Sequence, residues 1–151
     1  MPGDVFYPLK MAREQVSFAL TRAPERRVEL RLTFASHRLA ELMNMAEKRG
    51  RIDPRILRRL LREASLALAE ARPLPEKRLD LFLERLQAFN AYQRRMLEQL
   101  IPRLPKAQRP TVRRAIRTCR ERDRWMRRTS PQQLQSAPPE RDGCWDDCDR
   151  N

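Results

Sequence analysis

Apolar residues recur along this chain at spacings of three and four over long, nearly unbroken stretches, the period of α-helices that bury one side. The longest such stretch is Glu25–Arg49. There Val28, Leu32, Ala35, Leu39, Leu42 and Ala46 form one stripe, while Leu30, Phe34 and Met45 lie opposite, interrupted by His37 and Glu41. A helix with two apolar sides needs neighbours on both. The remaining segments are therefore expected to pack around it.

Four more helices follow from the same period and from start and stop signals. Pro8 suits a first helical position, where its missing amide proton is not needed. The helix it opens runs to about Arg22 with Leu9, Ala12, Val16 and Leu20 on one face. Gly50, preceded by Lys48 and Arg49, is a C-terminal stop for the 25–49 helix. Asp53-Pro54 pairs an N-cap acceptor with proline and opens a helix to Ala71 that carries Ile56, Leu57, Leu60, Ala64, Ala67 and Leu68 inward. After Pro73-Leu74-Pro75, a helix over 76–101 presents Leu79, Phe82, Leu83, Leu86, Phe89, Leu97 and Leu100. Pro102, Pro105 and Pro110 punctuate a loop before a helix over 111–127, whose apolar side holds Val112, Ala115, Ile116, Cys119 and Met126. No stretch alternates with period two, as a strand would.

The expected fold class is all-α: a bundle of about five helices, mostly antiparallel because the links are short. In that reading the 25–49, 54–71 and 76–101 helices form an up-down core, capped by the 8–22 and 111–127 helices. From Thr129 the chain is rich in Ser, Pro, Gln and Asp with almost nothing to bury. The domain division is thus a helical bundle over 1–128 and a disordered tail over 129–151.

Composition agrees with one domain able to bury a core of its own: 151 residues, 40% hydrophobic and 35% charged. Charge changes the picture more. The net charge is +13, and residues 103–128 hold 11 Lys/Arg against 2 Asp/Glu, whereas the segment from 129 holds 2 against 5. Arg113, Arg117, Arg120, Arg124 and Arg127 share the polar side of the 111–127 helix and are the candidate polyanion-binding residues. The alternative is a solvated face in a chain that uses Arg for 29 of its 33 basic positions.

Candidates for catalysis are few. The single histidine, His37, with Glu41 one turn later, reads as a helix-surface ion pair or a half-buried packing contact, and one histidine cannot furnish the paired Glu-x-x-His motifs of a di-iron bundle. Cys119 lies on an apolar stripe and reads as a small buried hydrophobe. Cys144 and Cys148 frame Cys-Trp-Asp-Asp-Cys, either a local disulfide or two ligands of a metal site, and two cysteines alone make a poor zinc motif. Three glycines leave no phosphate-cradling loop. No catalytic, cofactor-binding or metal-ligating residue is assigned, no small-molecule substrate is expected, and the chain is read as a non-enzyme. No apolar run approaches the roughly 20 residues that cross a bilayer, and no signal peptide is visible at the start.

The opening Pro2-Gly3-Asp4-Val5-Phe6-Tyr7-Pro8-Leu9-Lys10, with Glu14 and Phe18-Ala19-Leu20 behind it and Arg38-Leu39-Ala40-Glu41-Leu42 in the next helix, resembles an uncharacterised bacterial helical family known only as a domain of unknown function. Its members open Pro-Gly-x-x-x-Tyr-Pro-x-Lys. Similar proteins carry this domain after one transmembrane helix, facing outside the cytoplasm, some of them in sigma-factor regulation. The resemblance implies a non-catalytic sensory or interaction module, the soluble extracytoplasmic part of an envelope protein, and brings no site residues. No anchor stands before Pro2 here, so a tether implies a longer protein; the alternative is a cytoplasmic location. Physically, Phe6 and Tyr7 are suited to packing the lead-in against the bundle. The expected partner is an unidentified protein, with two rivals: nucleic acid bound through the 111–127 helix, and a homo-oligomer that buries apolar residues left exposed on the 25–49 or 76–101 helices.

Overall fold

A computed structural model of the chain describes residues 23–136. The helix expected over 8–22 and the Cys144–Cys148 motif lie outside the described residues. Within them are α1 (Pro24–Arg49), α2 (Pro54–Ala71), α3 (Glu76–Leu100), a 3-10 turn at Ile101–Arg103, α4 (Arg109–Arg128) and α5 (Pro131–Ser136).

The signals that end and start helices act as anticipated. Gly50 takes the left-handed conformation (φ 61°), and its amide bonds the Ala46 carbonyl at 3.0 Å, closing α1. A side chain there would be strained by that φ alone. The Asp53 carboxylate accepts the Arg55 amide at 2.8 Å, satisfying one of the first free donors of α2. Arg31 reaches Glu63 at 2.9 Å and Arg27 reaches Glu70 at 3.0 Å, so α1 and α2 run antiparallel as one hairpin.

The second hairpin is α3 with α4. Glu25 and Glu29 of α1 meet Arg78 and Arg85 of α3 in rising order, which makes those two helices parallel. Similarly, Gln108, just before α4, exchanges two hydrogen bonds with the Ile52 backbone (3.0 and 2.8 Å), while Arg122 reaches the Leu61 carbonyl. α2 and α4 are therefore parallel too. The result is an up-down-up-down four-helix bundle. The 111–127 helix, expected as a cap, is instead its fourth member: Val112, Ala115, Ile116 and Cys119 are buried in the same cluster as Leu42, Leu60, Leu97 and Leu100.

A polar layer divides the core. One apolar cluster fills the end where α2 and α4 begin; the other holds Val28, Leu32, Leu79, Phe82, Leu86 and Met126 at the opposite end. Between them lie Asn90 and Gln93 of α3 and Arg122 of α4, all buried. Asn90 donates to the Cys119 carbonyl at 2.7 Å, and Arg122 donates to the Ser65 hydroxyl at 2.8 Å. Burial pushes the Arg122 guanidinium below its usual pKa, because charge is costly away from water. Polar groups with few partners in a core restrict which helix registers are acceptable.

Two side chains bear on the reading of α1: Glu41 departs from the surface position expected of it, and His37 keeps to the surface alternative. Glu41 is buried and held by Arg38, one of whose terminal nitrogens donates to both carboxylate oxygens at 2.8 and 2.9 Å. His37 is exposed. The chain also stays packed beyond the expected boundary at 128: α5 buries Leu134 in the second apolar cluster. Residues 137–151 lie outside the described residues.

Candidate anion-binding groove

The outer side of α4 follows from its sequence. With the apolar positions 112, 115, 116, 119 and 126 turned into the bundle, a 3.6-residue period sends 113, 117, 120, 124 and 127 to water. All five arginines are exposed, as anticipated. Their stripe extends over fourteen residues, about 21 Å of helix.

The structure divides this set. Arg113, Arg117 and Arg120 line a groove of about 520 Å³ between α4 and the end of α3, whereas Arg124 and Arg127 lie further along α4, outside it. Ile101, Pro110 and Ile116 give the groove an apolar component. The sequence reading missed two of its charged members, Arg114 and Glu98. Arg120 donates to Glu98 at 3.1 Å, and a terminal nitrogen of Arg114 lies 3.4 Å from the Thr111 hydroxyl. Arg113 and Arg117 form no ion pair with a described residue. Outside the groove, Arg127 pairs with Asp123 one turn back at 3.1 Å. Four guanidinium groups against one carboxylate leave the groove strongly positive, and an exposed pair such as Arg120–Glu98 contributes only about 0–1 kcal/mol, so an anion can displace it.

A second group of arginines adds to the same end of the bundle. Arg51, Arg55, Arg58, Arg59 and Arg62 are exposed around the start of α2. The Ile52–Gln108 hydrogen bonds hold the beginnings of α2 and α4 together, so two helix N-termini and both arginine groups share one end. Helix N-termini carry partial positive charge, and their fields add to that of the side chains. The signal for the α2 group was present in Arg51-x-x-x-Arg55-x-x-Arg58-Arg59, but this segment lies outside the 103–128 block on which charge counting focused.

Other features of the surface and core point to less. Among the described residues, no three His, Cys, Asp or Glu side chains gather as metal ligands, and no helix is long and apolar enough to cross a membrane. Cys119 is fully buried, against the Gln93 amide, whose nitrogen lies 3.4 Å from its sulfur. Leu81 and Tyr92 are exposed on α3, eleven residues apart and so on the same side of that helix.

The profile of a family described as a domain of unknown function (DUF5667) matches residues 1–107. The chain belongs to the DUF5667 family. No curated protein and no solved structure matches it. The DUF5667 match ends before α4, so the groove joins Glu98 and Ile101 from the matched segment to arginines that follow it.

Proposed function

We propose that this DUF5667 chain is a non-catalytic interaction module that engages an anionic surface of a protein partner through the groove and arginine face of α4. The observation that carries the reading is the pair Arg113 and Arg117: exposed, lining a groove with an apolar component, and outside every described ion pair. Arginine without a fixed partner is well suited to bidentate recognition of carboxylates. An extracytoplasmic location in a bacterial envelope protein is part of the proposal and rests on the opening motif and the proteins it resembles. Nucleic acid is the second reading, favoured by the length of the arginine stripe, which is enough to follow several phosphates.

The test is binding of the full chain to poly-L-glutamate and to random-sequence duplex DNA across a salt series. The proposal expects glutamate polymer to bind at low salt, and Arg113→Glu with Arg117→Glu to weaken that binding at least tenfold. Tighter binding of DNA, with a steep loss as salt rises, would replace the protein partner by nucleic acid. Binding of neither polymer at low salt would overturn both readings.

A further inference from the structure

We infer that the groove is the docking site for this chain's own acidic C-terminal segment, Glu140–Asp149. The inference rests on the groove being an anion-binding surface and names its first occupant.

Charge supports it from both sides. Residues 140–149 carry five acidic side chains against one arginine, in a chain whose net charge is +13. The groove offers Arg113, Arg114, Arg117 and Arg120 against Glu98 alone. Composition matches as well: Trp145 stands directly before Asp146 and Asp147, and the groove combines guanidinium groups with Ile101 and Ile116. An indole can lie against apolar side chains and stack on a guanidinium while the adjacent carboxylates meet the other arginines.

Reach is sufficient. α5 ends at Ser136, and Gln135 is tied to the Leu74 carbonyl at the end of the bundle away from the groove. Trp145 is nine positions beyond Ser136, a span of up to about 30 Å. Arg120 lies nine residues before Thr129 on α4, about 14 Å along its axis. A segment attached at this range is present at an effective concentration near millimolar, so even weak pairing competes with a partner in solution.

The experiment measures binding of a fluorescein-labelled poly-L-glutamate to four full-length chains: the parent, Trp145→Ala, a chain with Asp142, Asp146, Asp147 and Asp149 changed to Asn, and Arg113→Glu with Arg117→Glu. Releasing the groove should raise affinity about tenfold in the neutralised chain. A rise of at least twofold is expected for Trp145→Ala, whose charge is unchanged and which a purely long-range field would not affect. The Arg113 and Arg117 side-chain NMR signals should shift between the parent and the neutralised chain. If Trp145→Ala and the parent bind equally and those signals do not move, the docking inference is overturned. Weakened binding by the Arg113/Arg117 variant would then still uphold the groove as an anion site, whereas equal binding by all four chains would remove that reading too. An affinity that depends on chain concentration would assign the segment to a neighbouring copy and overturn the intramolecular form.

Discussion

Cys119 shows at the scale of one residue how burial becomes a pH dependence. Desolvation pushes its thiol from 9.0 up to about 11, outweighing the opposing pull of Arg122 and Arg94. The unfolded thiol loses its proton near pH 9, but the folded one keeps it until about 11. Between those values the unfolded chain binds fewer protons, so stability is intact below pH 9 and falls as pH rises toward 11, by about 2–3 kcal/mol in all. Urea unfolding of the parent and of Cys119→Ala at pH 8 and pH 10.5 checks this: the parent should lose more stability than the variant over that interval, and equal losses would contradict it. The burial of Cys119 was legible from its place on the apolar stripe. That of its polar neighbours was hidden by their chemistry. Asn90 and Gln93 continue the spacing of Leu86 and Leu97, and Arg122 lies between Cys119 and Met126 at the same period. The positions indicated burial while the residue types indicated solvent, and only the tertiary partners Ser65 and Cys119 decide between them.

At the scale of the element, the long helices were readable to within one or two residues, because each combines a sustained apolar stripe with a proline or glycine at its edge. α5 was not. Six residues hold too few apolar positions to show a period, and the surrounding composition resembles a tail. One local signal was there. Ser130 and Gln133 form a reciprocal cap, the Gln133 side chain accepting the Ser130 amide at 2.9 Å and the Ser130 hydroxyl accepting the Gln133 amide at 3.2 Å. Tertiary bonds hold the rest: Arg72 donates to the Leu134 carbonyl at 3.2 Å, and Leu134 is 4% exposed. Leu134→Ala should therefore destabilise the whole bundle by about 2 kcal/mol, the low end for a buried leucine because the site lies at the bundle's edge. Thermal unfolding would register this as a drop of several degrees. An unchanged melting temperature would mean that α5 contributes nothing to the fold.

At the scale of the molecule, the net charge of +13 opposes compaction. The ion pairs do little to offset this, since several, such as Arg78–Glu25 and Arg120–Glu98, are well exposed to solvent. Added salt should raise the melting temperature, and phosphate should raise it more than chloride at equal ionic strength because it binds clustered guanidinium groups of the native chain. Differential scanning calorimetry from 20 to 300 mM salt would decide it; a steady fall in melting temperature would show that the ion pairs outweigh the repulsion. The bundle itself was legible as a class, since every helix has an apolar side and the links are short. Which helices are neighbours was not, because periodicity identifies a buried face but not what covers it.

The fourth helix has one more consequence. DUF5667 similarity stops at residue 107, yet Leu97 and Leu100 are enclosed by Val112, Ala115 and Ile116, which follow it. A chain cut at that point would leave an open apolar trough along α3. The matched segment and the folding unit differ here by the two helices α4 and α5, so the segment that closes the trough also sets the chemistry of its outer side. In this chain that segment is arginine-rich, so the helix that completes the core also sets the charge of the face above it.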